Sequence, residues 1–277
     1  MNIIDGRELA EQVKDKIALE VFEATKKGGA HPSLAIILVG SRPDSKLYVK
    51  LKEREAKKLG IDTHLYELDE TASEAEIIET IKFLNDDKAI DSVLVQLPLP
   101  DQIDTDKVMA VLNPEKDADG FLDNHPKNVM SPVLASVKMM LDDTKITAEK
   151  LVAGVLYNSE IFGNALKEIL REYGFKEIID TAARKADEVK KITEKADVLI
   201  TAVGVPLFIK DNMIKDKAVI IDIGITKVGD KVCGDVDADS VKDKASFISP
   251  VPGGVGPLTI AFLFKNVLSI YKNKKTA

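Results

Sequence analysis

Tyr48 and Lys52 stand four residues apart in residues 45–61, SKLYVKLKEREAKKLGI. In a helix that spacing puts the phenol and the amine one above the other on a single face. Lysine shifts its pKa readily when it loses water, so the pair can serve as an acid–base device. The same pattern also fits a snorkelling lysine beside a packed tyrosine. Gln96 is a second polar group in a chemically useful place. It closes the apolar run Ser92-Val-Leu-Val-Gln96, and Pro98 and Pro100 then forbid a central strand. Ligands of open α/β sheets gather outside the carboxyl ends of the strands, where a glutamine can bond a ligand or satisfy the loop's own backbone. Residues 114–121, PEKDADGF, form a turn-rich acidic loop in which Asp117 and Asp119 can cap, bind a ligand or stay solvated. Near the end, residues 248–259, ISPVPGGVGPLT, combine three prolines with three glycines. Glycine lets backbone approach a ligand and proline stiffens the loop. The interleaved Val251, Val255 and Leu258 favour a rigid site-lining loop over a spacer.

These groups need elements to hold them. Residues 5–25 have helical periodicity, with Leu9, Val13, Ile17, Val21 and Phe22 on one side, and Gly28-Gly29 ends the helix. Residues 34–40 read as a buried parallel strand. Pro43 and Asp44 suit the first turn of the helix bearing Tyr48 and Lys52. Its Leu47, Leu51 and Leu59 are expected inward, with Lys50, Glu53, Arg54 and Lys57 in water. A strand at 64–68 and a helix at 73–84 (Ile77, Ile78, Ile81 and Leu84 inward) precede the Gln96 strand. After a connecting helix at 131–141, a second series begins near Leu151. Its strands are expected at 152–157, 177–181, 198–203 and 218–223, with helices at 161–172 and 186–195. A last helix is expected from Ile260 to near Tyr271. Alternating strands and helices predict an α/β fold with parallel sheets, the second series forming a small doubly wound domain. Its first turn, Tyr157-Asn-Ser-Glu-Ile-Phe-Gly163, lacks G-x-G-x-x-G, and only Gly163 can match a glycine of that fingerprint. Ser159 can still cap the helix, whose N-terminus can receive a phosphate. A domain without a nucleotide fits this turn nearly as well.

Bulk properties exclude several classes. The 277 residues allow one large domain or two ordinary ones, and 45% hydrophobic with 31% charged content suits a globular protein with a real core. A net charge of −7 argues against non-specific nucleic-acid binding. A single cysteine, Cys233, excludes an intramolecular disulfide and fits a reducing compartment. The first residues show no secretory signal, and no run approaches the roughly 20 apolar residues of a membrane span. His31, His64 and His125 stand far apart and suggest no metal motif. A soluble cytoplasmic protein is expected, with no nucleic-acid or membrane partner and no metal.

Three separated segments become specific together: Ser45-x-x-Tyr-Val-x-x-Lys52 with Gly60-Ile61; Val95-Gln-Leu-Pro-Leu-Pro100 followed by Asp117-Ala-Asp-Gly120; and Pro250-Val-Pro-Gly-Gly-Val-Gly-Pro257 with Thr259. In this order they resemble the methylenetetrahydrofolate dehydrogenase/methenyltetrahydrofolate cyclohydrolase family, over nearly the whole chain. Asp5-Gly6, Asp222-Ile-Gly-Ile225 and Gly234-Asp-Val-Asp237 match it too. The resemblance implies two lobes with the folate in a cleft between them. One is an N-terminal catalytic α/β domain, 1–125, with the C-terminal helix 257–277 packing back on it. The other is a Rossmann-like nucleotide domain, 126–256. It implies oxidation of 5,10-methylenetetrahydrofolate by NADP, or NAD, and hydrolysis of the methenyl product to 10-formyltetrahydrofolate. By motif position Lys52 takes the catalytic lysine role, Tyr48 the substrate-stacking role, Gln96 the partner of the lysine and Asp119 the pterin hydrogen bond. Leu97, Pro98, Pro252, Gly253 and Gly254 are implied to line the folate and nicotinamide pocket. A homodimer is implied by the resemblance alone.

The chain departs from the family in its cofactor half. The connection between Phe121 and Val137 is short and lacks a Pro-Cys-Thr-Pro segment. In the nucleotide turn Tyr157 replaces a glycine and Ala165 a proline, while Ser159 and Gly163 survive. The family's His-Ser-Arg/Lys-Thr falls near residues 183–186. Tyr157 can take up the pyrophosphate's space and Glu160 can repel phosphate, whereas Arg184 or Lys185 can grip a 2′-phosphate. Asn158, Ser159, Gly163, Gly204 and Ile225 complete the implied cofactor set. The expectation is therefore a bifunctional enzyme, the alternative being a cyclohydrolase with weak or lost dehydrogenase activity. A non-enzymatic folate-binding or assembly protein is the third reading. The complete Tyr48/Lys52/Gln96/Asp119 set argues against it, because binding alone needs no tuned lysine.

Overall fold

The structure, a computed structural model, describes residues 1–26, 28–122, 126, 128–182 and 185–276. In chain order the first elements are β1 (Asn2–Ile3), α1 (Gly6–Thr25), β2 (Ser33–Val39), α2 (Pro43–Leu59), β3 (Asp62–Leu68), α3 (Glu74–Asp86), β4 (Ser92–Val95) and α4 (Thr105–Met109). Then follow α5 (Pro132–Thr144), β5 (Val152–Tyr157), α6 (Glu160–Tyr173), β6 (Glu177–Thr181), α7 (Ala186–Thr193), β7 (Val198–Ala202) and β8 (Val219–Asp222). The chain ends with β9 (Thr226–Val228), β10 (Lys231–Cys233), α8 (Ala238–Val241), β11 (Phe247–Ile248) and α9 (Val255–Thr276). Two compact units emerge, one of Met1–Ala10 with Val133–Thr259, the other of Glu11–Pro132 with Ile260–Ala277.

The unit containing residues 11–132 is built on a three-stranded parallel sheet, ordered β3-β2-β4. Every residue of the central β2, SLAIILV, is buried, as a strand covered on both faces must be. Burying each Leu, Ile or Val there stabilises the unit by about 1.5–3 kcal/mol. Helix α2 starts with Pro43 in its first turn and ends at Gly60, whose left-handed φ of 71° lets its N–H reach the carbonyls of Ala56 and Lys57. Its buried face is Ser45, Val49, Ala56 and Leu59, and Glu55 is buried beside it in ion pairs with Lys14 and Lys58. At about 100° per residue Lys52 lies in the middle of that face, and Tyr48 at its edge. Leu47 sits roughly 200° from Ser45 on the helical wheel. It is 59% exposed, contrary to the sequence expectation. Phe22 likewise lies off the stripe of Leu9, Val13, Ile17 and Val21, and is exposed.

The other unit carries a six-stranded parallel sheet ordered β1-β11-β8-β7-β5-β6. Strand β6 lies on one side of β5, and β7 on the other. The strand order therefore reverses at β5/β7, the topological switch point of a doubly wound fold. Gly154 lets the end of α7 and the turn after it close on the sheet, since a Cβ there would lie 3.3 Å from Ile192 Cγ2 and 2.6 Å from Ala196 Cβ. Strands β9 and β10 form an antiparallel hairpin. The short elements β1, α4, β9, β10, α8 and β11 escape the sequence reading. The two-residue β1, too short to show a period, pairs with β11 through Asn2↔Phe247 and Ile3↔Ile248. The last helix begins at Val255 rather than Ile260, because Pro257 in a first turn needs no N–H partner. Among the described residues no helix is long and apolar enough to cross a membrane, and no His/Cys/Asp/Glu group could hold a metal ion.

Candidate active site

Three elements of one unit bring together Lys52, Gln96 and Asp119. Lys52 projects from the inward face of α2 and donates from Nζ to Gln96 Oε1 at 2.8 Å. Gln96 follows the last residue of β4; its N–H donates to Ile37 O and its Nε2 to Leu97 O at 2.7 Å. The amide orientation is thereby set, carbonyl toward the lysine. The Leu97–Pro98 peptide bond is cis. Asp119 is carried by the loop after the 3-10 turn Pro114–Lys116. Fully buried Asp117 shapes that loop by accepting the N–H groups of Asp119 (3.1 Å) and Leu122 (2.9 Å). From α9, Asn266 Nδ2 donates to Ala118 O at 2.9 Å and Met130 O at 2.8 Å. Asn266 and the scaffolding role of Asp117 were not visible in the sequence; a polar residue on the apolar face of the last helix is the only signal.

Electrostatics favour proton exchange here. Burial pushes the Lys52 amine below its usual value, against the attraction of Asp119. Burial pushes the Asp119 carboxyl up, opposed by Lys52 and reinforced by Asp117. Both shifts move toward the neutral pair, the state a general base and a hydrogen-bond-donating acid require. Tyr48, one turn before Lys52 on α2, is 39% exposed.

In the other unit, the turn after β5 and the loop after β7 meet at the switch point. Asn158 Nδ2 donates to Val203 O at 3.4 Å. Residues 158–161 and Gly204 are exposed, and Ser159 Oγ caps α6 by accepting from Phe162 N. Tyr157 does not stand in the turn. Its ring is 4% exposed and packs beneath Gly163, where an added Cβ would lie 2.6 Å from the ring. The phenol donates to Asp180 Oδ2 at 2.7 Å and lies 3.2 Å from Glu160 Oε2, and Lys167 Nζ donates to the same Asp180 oxygen at 3.0 Å. The bulk that replaces a fingerprint glycine is thus taken up inside the unit. Glu160 does stay at the helix N-terminus. Lys185 is exposed and near Glu188 at 3.9 Å. Arg184 lies outside the described residues, as does His125. Ile225 is 52% exposed beside the β9–β10 hairpin. Pro252 is exposed, while Gly253 (φ 116°) and Gly254 are buried against the N-terminal segment. A Cβ at Gly6 would fall 1.8 Å from Gly254 O, which explains Gly6.

A doubly wound sheet with an open polar turn at its switch point, together with an α/β unit holding a desolvated lysine, defines a two-domain α/β protein of the nucleotide-binding class. Residues 4–119 match the sequence profile of the tetrahydrofolate dehydrogenase/cyclohydrolase catalytic domain, and residues 132–275 that of its NAD(P)-binding domain. The chain belongs to the tetrahydrofolate dehydrogenase/cyclohydrolase family. It is 41% identical to the bifunctional protein FolD of a Nitratiruptor species, with 99% of each chain covered. The crystal structure of the Campylobacter jejuni bifunctional enzyme FolD superposes with a TM-score of 0.91 at 31% identity, covering 99% of both chains. The Trypanosoma brucei methylenetetrahydrofolate dehydrogenase-cyclohydrolase, solved with NADP and an inhibitor, gives 0.92 at 30% identity, covering 99% of this chain and 98% of that one.

Proposed function

We propose that this chain oxidises 5,10-methylenetetrahydrofolate to 5,10-methenyltetrahydrofolate and hydrolyses that cation to 10-formyltetrahydrofolate. The observation that carries the reading is the desolvated Lys52 amine held on Gln96 beside Asp119. A neutral amine can take the proton of the water that adds to the amidinium-like carbon, and return it as the C–N bond opens. Gln96 orients that amine. Asp119 is assigned to the pterin ring, Tyr48 to stacking on it, and Leu97, Pro98, Pro252, Gly253 and Gly254 to ligand-lining positions. NADP, when bound, supplies the hydride acceptor of the first reaction. The switch point fits such a dinucleotide, because its turn is open and polar and the Tyr157 ring is stowed inside. Asn158, Ser159, Gly163, Gly204, Ile225 and Lys185 are the described residues assigned to it, with Arg184 added from the sequence. The working form is proposed to be a cytoplasmic homodimer, which light scattering of the purified protein tests.

A second reading, cyclohydrolase with weak dehydrogenase activity, is favoured by one observation: the Glu160 carboxylate sits at the helix end where phosphate would approach. Titration of the purified protein with NADP and NAD, together with methenyl formation from the methylene substrate, separates the two. Reduction of either nicotinamide at a rate matching hydrolysis supports the bifunctional enzyme. No reduction of either, with hydrolysis intact, leaves the second reading.

A further inference from the structure

The loops after β7 and β8 are held by two buried carboxylates that the proposed chemistry does not use. Asp235, with 0% exposure, accepts four hydrogen bonds: Thr201 Oγ1 (2.8 Å) and Val203 N (2.7 Å) on Oδ2, and Gly204 N and Val205 N (both 2.9 Å) on Oδ1. Asp222, 2% exposed, accepts the N–H groups of Gly224 (2.9 Å), Asp235 (3.1 Å) and Val236 (2.9 Å), and its own N–H donates to Ser249 Oγ at 2.8 Å. Each carboxylate is covered by a glycine that admits no side chain. A Cβ on Gly224 would lie 2.4 Å from Asp235 Cγ and Oδ1, and one on Gly234 would lie 2.1 Å from Asp222 Oδ2. Asp222-x-Gly224 and Gly234-Asp235 therefore interlock as a reciprocal clasp.

We infer that Asp235 is a positioning residue for the nicotinamide nucleotide, acting by fixing the shape of the Val203–Val205 loop at the switch point. Three successive N–H groups of this loop converge on one carboxylate, the geometry of an anion-binding nest whose anion is supplied by the protein itself. These N–H groups are consequently turned inward and unavailable to a phosphate. The loop's outward side is exposed Gly204, in a left-handed conformation (φ 75°); a Cβ built on it would lie 3.5 Å from Asn158 Nδ2 of the facing turn. Relaxation of the nest would let Gly204 shift and change the crevice between the two loops. The inference rests on the nucleotide reading above.

Asp235→Asn keeps size but exchanges one acceptor oxygen for a donor aimed at N–H groups that already need an acceptor. Calorimetric titration with NADP should then give a Kd raised by about tenfold, the scale of one charge-assisted hydrogen bond replaced by a mismatch. Hydrolysis of methenyltetrahydrofolate supplied directly, which needs no nicotinamide, should stay within about twofold of wild type. An unchanged NADP Kd in the folded variant overturns the inference. So does a parallel fall in hydrolysis, which would mean global damage. If Asp235→Asn does not fold, Thr201→Val removes a single bond to Oδ2; a Kd rise of about threefold supports the inference and an unchanged Kd overturns it. Wild-type protein that binds neither NADP nor NAD would overturn the nucleotide reading itself, an outcome distinct from equal binding by wild type and variant.

Discussion

The Lys52 site and the Asp235 clasp both centre on an ionisable side chain held away from water, yet they are provisioned in opposite ways. Among the described residues, the Lys52 ammonium has three donors and one hydrogen-bond acceptor within reach, Gln96 Oε1. The Asp235 carboxylate has four donors on two oxygens. An under-satisfied amine gives up its proton readily, because few partners stabilise its charged form. A saturated carboxylate stays where it is and holds whatever donates to it. The same contrast separates a group suited to moving protons from one suited to fixing backbone.

The largest expected effect tests the lysine side of the contrast. Lys52→Met should reduce methenyltetrahydrofolate hydrolysis by about 10²–10⁴-fold, followed by loss of the methenyl absorbance. The same variant should be at least as stable as wild type at neutral pH. With a folded pKa below the ordinary 10.5, the unfolded chain binds the extra proton between the two values, so wild-type stability rises with pH across that window. The melting-temperature advantage of the methionine variant should therefore shrink as pH climbs through it. A variant that melts well below wild type would mean the amine is a structural tie.

On the clasp side, Gly234→Ala drives a methyl group into Asp222 and should lower stability by about 1–3 kcal/mol in urea unfolding. A neutral substitution would show that the two loops are not locked together. The clasp also carries a pH signature at Asp222. Burial raises its carboxyl to about 7, reinforced by Asp235 and opposed by the N–H groups of Val236, Asp235 and Gly224. A raised folded value means the native state holds a proton that the unfolded chain has released, so stability should fall between about pH 4 and pH 7. Asp222→Asn should flatten that slope, read from melting temperatures across the range. The smallest effect is expected of Tyr157→Phe: about 1 kcal/mol from the lost bonds to Asp180 and Glu160, with NADP affinity within about twofold of wild type because the ring stays inside the unit. A large change in NADP binding would place the phenol in the turn after all.

Much of the catalytic set was legible before any coordinates. Spacing on one helix singles out Lys52 and Tyr48, and a place after an apolar strand singles out Gln96, but their catalytic reading comes from the family resemblance. The pairing of Lys52 with Gln96 came only from the family resemblance, since 44 residues separate them. Hydrophobicity alone places Leu47 inward, whereas the phase set by Ser45, Val49, Ala56 and Leu59 turns it outward. The sequence makes Tyr157 look like an obstacle because it does not say which way a side chain leaves a strand end. Asp222-Ile-Gly and Gly234-Asp were recognised as motifs without a reason, and the reason is a mutual hydrogen-bond network.

What the sequence determined by itself was the alternation of strand and helix, the parallel sheets, the family and the chemistry-bearing residue types. Those depend on local periodicity and on short motifs, which one stretch of chain carries whole. Tertiary structure alone decided that the Lys52 amine loses its water, that Asn266 steadies the loop of Asp119, that β1 joins the six-stranded sheet, and that Asp235 gathers four donors. Desolvation and hydrogen-bond saturation are properties of what surrounds a group in space. The surroundings are contributed by segments distant in the chain, so no local pattern encodes them.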